Sequence, residues 1–515
     1  MNNLVFELYN SLRTNSSNVC VTDYSLDKPI HITKKQILIM ATALSKDIAK
    51  STNSDRVGVV IPSCAVGVIA NVAVLLAGKI PVNLNFSVTN DVARHCLAKS
   101  GINLVLTVSA MRTKFPEYPF PDNTFDCDTQ LKAYKSDKCK LIKNYILHSI
   151  PKTISKRILN ILPNATSKEF AVLFTSGSSG SPKGVSLSHE NILSNVHGIC
   201  EIQKFPKNSK LLANLPLFHS FGFTVTMWLP LIKGIPIVTI PSPLEINKTI
   251  AAIQAEQVSI LLGTPTFLRG YLKKGSSNKF KSIKYVVAGA EKSNIDFIKQ
   301  WETLANCNYL EGYGLTETSP VISLNTTTNG IKHGSVGKLL PSIKVKTIHP
   351  ETHQDLGRSQ SGVLCFQGNN IFTEYIMDKQ TTQSAFKDGW FVSGDVGRLD
   401  EQGFLFIEGR LSRFSKIGGE MIPHETIEEC AVKILEWESN EATNLVVVGK
   451  PHATKGEELI LITTQSIDFD NLRSKLSKQL GNLFVPKKHQ IVNEIPVLAT
   501  GKLDLHTIKS LVKQK

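Results

Sequence analysis

Apolar, β-branched runs alternate with helix-patterned runs along most of this chain, and that alternation restricts its fold more than any other feature. LLANLP (211–216) precedes a helical stretch from Gly222 to Lys233, and IPIVTI (235–240) precedes one from Glu245 to Gln257. VSILLG (258–263) and KYVVAGA (284–290) are each followed by helical sequence. Such an order builds βαβ units, in which helices cover the faces of parallel sheets. A chain of 515 residues is too long for one core. At about 150 residues per unit, roughly three compact units and more than one sheet are expected.

A second stretch tests whether the protein is soluble. Val57 to Gly78 contains no charged residue, a length that could span a bilayer. Pro62, Ser63 and Asn71 interrupt it. VGVVI (57–61) reads as a short buried strand, and Ala65–Ala77 as a buried helix closed by Gly78. Strand–turn–helix is the better reading, with peripheral membrane contact left open. The Lys- and Asn-rich segment 120–168 is weakly periodic and reads as a surface excursion before the strand AVLFTS (171–176). After Gly334 come short strands separated by glycine (VGKLL, KVKTI, GVLCFQG, GFLFIEGR), the pattern of a small β-subdomain. Beyond Arg410 a last unit of helix (424–436), strand pair, helix (471–480) and strand is expected. A linker at 410–415 would divide the chain into domains 1–409 and 410–515.

Composition narrows the setting. Hydrophobic residues make up 42% and charged residues 20%, as in soluble globular proteins. The nine cysteines are scattered without a CxxC pair, which fits a reduced, cytoplasmic setting better than a disulfide framework. The N-terminus lacks the basic flank and long apolar core of a signal peptide. Fifty-eight Lys and Arg against 43 Asp and Glu leave a formal charge of +15. That excess suits acidic partners, or simply a Lys-rich surface. No Arg-rich block or aromatic-interleaved basic stripe points to nucleic acid.

The sharpest chemical signal is FTSGSSGSPKGV (174–185), which follows an apolar strand and precedes SLSHENILSN, read as a helix start. Successive backbone N–H groups, Ser and Thr hydroxyls and Lys183 can wrap a polyphosphate, and glycines permit the close approach. A flexible linker is the plainer alternative, but Pro182-Lys183 and the flanking strand speak against it. The loop is not a Walker A motif, because Pro182 precedes Lys183 and Gly184 follows it. It is not a kinase glycine loop, because no HRD or DFG set follows.

Thr175-Ser176-Gly177-Ser178-Ser179-Gly180-Ser181-Pro182-Lys183-Gly184 resembles the signature loop of the AMP-forming acyl-adenylating superfamily: acyl-CoA synthetases, luciferases and peptide-synthetase adenylation domains. Further motifs follow in that family's order. Pro216-Leu217-Phe218-His219 with Gly222 resembles the acyl-site motif, and Gly289-Ala290-Glu291 the adenine-side loop. Tyr313-Gly314-Leu315-Thr316-Glu317 resembles the YGxTE motif, and Ser393-Gly394-Asp395 the ribose motif. Gly409-Arg410 resembles the hinge-side motif, and Gly501-Lys502 the terminal catalytic-lysine motif. The resemblance implies an α/β fold: a large N-terminal domain of two α/β subdomains plus a β-subdomain, with a small mobile α+β C-terminal domain. It also implies ATP and Mg²⁺. Thr175–Lys183 would hold the β- and γ-phosphates, Thr316 the α-phosphate, and Glu317 the metal. Asp395 and Arg410 would hold the ribose side, Lys502 would bridge carboxylate and α-phosphate, and His219 would wall the acyl pocket. Each has a plainer reading; Asp395 could cap a turn, and Lys502 could be an exposed lysine.

Within that superfamily, Val82-Asn83-Leu84-Asn85-Phe86, Arg413-Phe414-Ser415-Lys416 with Gly419-Glu420-Met421, and Gly501-Lys502-Leu503-Asp504 are similar to acyl–acyl-carrier-protein synthetases. The likeness is strongest to the ligase half of the bifunctional lysophosphatidylethanolamine acyltransferase/acyl-ACP synthetase. No His-x4-Asp motif of the acyltransferase half is found, so a free-standing ligase is expected. The implied substrate is a long-chain fatty acid and the implied acceptor acyl carrier protein, with coenzyme A as the alternative. Lys487, Lys488, Lys509, Lys513 and Lys515 would meet either acidic partner. Phe218, Phe221, Phe223, Met227 and Trp228 suggest an apolar pocket, although helix packing accounts for some of them equally well. Ser412 stands where the family has an Asp or Lys hinge. A catalytically silent acyl- or nucleotide-binding protein on this fold is the reading from another class.

Overall fold

The computed structural model describes all residues except 1–2, 166–167, 176–181, 418–419, 438–443, 453–455, 498–502 and 514–515. The expected alternation folds into two large sheets. The first has nine strands in the order 338–339, 321–324, 308–314, 285–288, 260–263, 211–213, 237–239, 19–23 and 30–33. Its inner strands are parallel, and antiparallel strands close both edges. The second has seven strands, with 80–83, 56–59, 105–107 and 124–126 parallel beside the hairpin 169–175/183–188.

The uncharged stretch is the strand Arg56–Val59 and the buried helix Ala65–Leu76. That helix packs on strands of both sheets, which therefore share one core. Asp23, at the end of a strand in the first sheet, accepts from the Ala65 N–H at 3.1 Å and so caps the helix. Asn71 and Asn83 exchange amide hydrogen bonds at 2.8 and 3.2 Å, which offsets the cost of burying both. Among the described residues, no helix is long and apolar enough to cross a membrane.

The segment 120–168 differs from the sequence expectation. It adds the edge strand Thr124–Asp126 and the helices Cys127–Ser136, Lys138–Leu147 and Lys152–Ile158. Its periodicity is weak because polar residues take core-facing places. Asn144 is buried against the carbonyl of Ile39, and buried His148 bonds Thr42 and Tyr9. A further difference lies after the glycine-serine segment. Lys183–Ser188 is a strand returning antiparallel along Glu169–Thr175, and the helix starts only at His189, capped by Ser188.

The sheet of strands 343–348, 355–357, 362–368, 386–387, 390–399 and 405–410 is antiparallel throughout. From Phe414 onward the chain builds a five-stranded sheet with apolar cores of its own. Between them, Leu411–Arg413 forms a single 3-10 turn.

Candidate active site

Side chains from all of these parts converge on one cavity of about 1340 Å³. That exceeds the roughly 300–1,000 Å³ of a pocket for one small ligand. Of the residues singled out in the sequence, Thr175, Lys183, His219, Gly289, Ala290, Glu291, Tyr313, Gly314, Thr316, Glu317, Asp395 and Arg410 all line it. Ser176, Gly177, Ser178, Ser179, Gly180 and Lys502 lie outside the described residues. Val497 and Leu503, on either side of the segment that carries Lys502, pair in an antiparallel bridge and line the same cavity.

Local folding explains the convergence. Thr175 and Lys183 are cross-strand partners, so the glycine-serine segment joins two paired strands rather than a strand and a helix. Asp395 and Arg410 are also cross-strand partners, on the hairpin 390–399/405–410. Their ion pair is 3.0 Å long, with Asp395 buried and Arg410 half exposed. The Tyr313 hydroxyl donates to the other Asp395 oxygen. Asp395 raises the pKa of the Arg410 guanidinium, and burial beside that carboxylate raises the Tyr313 phenol. Glu317 accepts from the Tyr375 hydroxyl at 2.8 Å, and the Lys183 ammonium lies over the same ring, 5.2 Å from its centroid. Glu291 accepts from Thr266 at 2.7 and 3.1 Å. Gly314 has no room for a side chain, since an added Cβ would lie 1.9 Å from the Pro320 carbonyl.

The strands 211–213, 260–263, 285–288 and 308–314 present alternate residues to opposite faces. Leu212, Leu261, Val286 and Tyr309 pack into one core cluster. Leu211, Leu262, Val287 and Leu310 face the cavity. With Ile199, Val225, Leu324 and Val336 they make a deep apolar arm that sequence reading missed. Period-2 alternation within these strands carried the signal, but both faces are apolar, so the sequence could not say which holds the cavity.

The expected aromatic pocket needs correction. Phe218 and Phe221 line the cavity, and Phe218 meets Phe86 edge-on at 5.3 Å. Phe223, Met227 and Trp228 do not; they are buried in the core, where Phe223 and Trp228 pack around Phe170. The stretch expected as one helix is a π-helix, Phe221–Trp228, running into the α-helix Leu229–Lys233. Such π segments often sit at functional sites. Sequence reading also missed Glu311, buried at the cavity wall, whose carboxyl is pushed up to about 7 by burial.

Among the described residues, no three His, Cys, Asp or Glu side chains are grouped to hold a metal. Glu317 can offer one carboxylate. That donor set suits Mg²⁺, which commonly takes one or two carboxylates together with substrate phosphates. The C-terminal part closes over the cavity with Glu425, Val497, Leu503 and Asp504. It is tied to the rest by Lys292–Glu429 at 2.8 Å and Lys416–Glu351 at 2.5 Å.

Residues 13–376 match the family model described as AMP-binding enzyme. The chain is 28% identical over 479 residues to a long-chain-fatty-acid–CoA ligase of Bacillus subtilis (strain 168), covering 87% of this chain and 84% of the relative. It is 27% identical over 516 residues to one of Haemophilus influenzae, covering 93% and 91%. Its fold is similar to ATP-bound MatB from Rhodopseudomonas palustris, with a TM-score of 0.80 at 22% identity, covering 100% of this chain and 99% of the other. It is likewise similar to o-succinylbenzoate CoA synthetase (MenE) from Bacillus subtilis in complex with the acyl-adenylate OSB-AMP. There the TM-score is 0.80 at 20% identity, covering 99% and 98%.

Proposed function

Because this chain belongs to the AMP-binding enzyme family, we propose that it uses ATP to convert a long-chain fatty acid to its acyl-adenylate, releasing pyrophosphate, and passes the acyl group to a thiol. One observation carries the reading. A single cavity joins a polar end, with Lys183, Thr316, Glu317, Asp395 and Arg410, to a deep apolar arm. A nucleotide and a fatty acid fit that division of chemistry.

Both reactants are anions, so the protein must align them and offset charge. Asp395 accepts from the ribose hydroxyls; Tyr313 and Arg410 occupy one site on each oxygen, and a carboxylate has about four lone-pair sites. Thr316 contacts the α-phosphate, while Thr175 and Lys183 hold the outer phosphates. Bound Mg²⁺ would neutralise phosphate charge, with Glu317 holding it through the oxygen that Tyr375 leaves open. Lys502 bridges the fatty carboxylate and the α-phosphate as charge builds on the transferred oxygens. His219 and Phe221 wall the junction of the two ends. We place the domains at 1–409 and 410–515, with the turn Leu411–Arg413, and Ser412 in it, as the pivot.

Two acceptors each have an observation behind them. Coenzyme A is the thiol in the names of the relatives that align over most of the chain. Acyl carrier protein is supported by the resemblance of the C-terminal motifs and by Lys487 and Lys488, exposed on the C-terminal part. A long-chain fatty acid partitions into bilayers, so peripheral membrane contact belongs to the same reading. The test offers purified enzyme labelled palmitate, ATP and either thiol. Palmitate-dependent ATP–pyrophosphate exchange is expected, and transfer to one thiol should dominate. Absence of exchange with every chain length would leave only the silent binding protein.

A further inference from the structure

The helices Lys138–Leu147 and Lys152–Ile158 are turned inside out relative to ordinary surface helices. Their buried places are held by Asn144, 1% exposed, with His148 at 2% in the corner between them. Leu141 and Leu147 are half-buried, but most of the large apolar residues point outward: Ile142, Tyr145 and Ile146, spaced i, i+3, i+4, are 56%, 54% and 55% exposed. Ile154 and Ile158, spaced i, i+4, are 51% and 61% exposed. A sequence that buries Asn and His while exposing isoleucine is not solving a core-packing problem there. Among the described residues, no other stretch of similar length exposes so many large apolar side chains.

The charge of the segment is as one-sided as its polarity. From Lys138 to Lys168 there are seven Lys and Arg and no Asp or Glu. Cations of this segment and of its neighbour flank the apolar residues. The Lys35 ammonium, from the neighbouring helix, lies over the Tyr145 ring at 3.4 Å, and Lys143 and Arg157 are exposed. Asp137 caps the first helix and Asp47 pairs with Lys140 at 3.3 Å, but the field around the exposed isoleucines is net cationic. That combination matches an anionic bilayer, which accepts apolar side chains below its headgroups and draws lysines to its surface. A protein partner would more commonly be gripped by aromatic and Arg anchors in a shaped pocket.

We propose that this helical pair is a membrane-docking surface that seats the enzyme on anionic lipid, inserting Ile142, Ile146, Ile154 and Ile158. It deepens the fatty-acid reading, and rests on it for purpose, by naming where a bilayer-dissolved substrate is met.

Vesicle cosedimentation of the full chain, without ATP or fatty acid, tests it apart from catalysis. Phosphatidylcholine vesicles with and without phosphatidylglycerol are compared at low and high salt. Wild type should bind the anionic vesicles, and added salt should weaken that binding. Ile146→Asp/Ile158→Asp should bind at least about tenfold less, since each change withdraws an inserted apolar side chain. Both positions are exposed, so the melting temperature should hold. Equal binding of variant and wild type, or no binding by wild type, would overturn the proposal. So would loss, in the variant, of holo-carrier-protein binding alone, which would make the face a protein-docking surface. Loss of palmitate-dependent exchange in wild type would count against the catalytic reading and leave the vesicle result standing.

Discussion

Asp395→Asn is the perturbation that most directly probes the polar end of the cavity. Among the partners of the carboxylate are the Tyr313 hydroxyl and Arg410 Nε. An amide keeps the shape but offers one acceptor oxygen instead of two. Tyr313 can reverse and accept from the new NH₂ group, and Arg410, half exposed, can turn to water. The structural cost is therefore small, about 1 kcal/mol or less once screening at Arg410 is allowed for. The melting temperature should fall by no more than a few degrees. Binding should suffer more. Hydrogen bonds from ribose hydroxyls to a charged acceptor are worth about 1.5–3 kcal/mol, so KM for ATP should rise roughly 10- to 150-fold. The ribose is remote from the bond being made, so kcat should change far less. Exchange kinetics at varied ATP, beside a thermal melt, read both quantities. A variant with unchanged KM for ATP would refute the reasoning, since Asp395 would then serve only the hairpin.

Three other outcomes are expected. Lys502→Ala should cut palmitate-dependent exchange by at least ~10²-fold while folding is retained, the scale of losing a preorganised charge stabiliser; a near-normal rate removes Lys502 from the mechanism. Leu262→Phe adds bulk to the apolar arm and should move the preferred acid toward shorter chains, measured as the ratio of exchange with myristate to that with stearate; an unchanged ratio means the acyl chain lies elsewhere. Glu311 takes up its proton more readily when folded, its carboxyl moving from 4.5 to about 7, so the folded state binds more protons than the unfolded one between those values. Its contribution is complete below pH 4.5 and is lost as pH rises through 7, up to about 3 kcal/mol. Glu311→Gln should therefore be the more stable protein at pH 8 and show a flatter profile from pH 4.5 to 7 in denaturant titrations; parallel profiles would contradict the shift.

Much of this could be read from the residues because function here rests on short motifs tied to backbone geometry. Gly314 is required by the Pro320 carbonyl, and Asp395 and Arg410 by a strand pair, so each leaves a fixed local pattern. The parallel strands were legible for a similar reason: a strand buried on both faces has little choice but a continuous apolar run. What escaped was decided between elements. Phe221 and Phe223 are two residues apart and of one type, yet one lines the cavity and the other fills the core. Glu311 gives no sign in sequence that burial will hold its proton. Segment 120–168 reads as a surface excursion, but its helices left no clear pattern because Asn144 and His148 occupy places that an amphipathic pattern reserves for apolar side chains. Lys183–Ser188 was misread because six residues that pair as a strand also resemble the approach to a helix.

The π-helix Phe221–Trp228 has a consequence for how the cavity wall can change. Its i→i+5 bonding accommodates one residue more than an α-helical turn would. Removing Thr224 or Thr226, neither of which lines the cavity, would let ordinary i→i+4 bonding resume, and everything upstream would swing by about 100° relative to Trp228. Trp228 packs edge-on against Phe170, outside the segment, so Phe221 and His219 would be the residues to move, and Phe223 would have to repack with them. The wall of the cavity is thus set by residue count as well as residue type, and deleting Thr224 or Thr226 would re-aim it while every side chain that lines it keeps its identity.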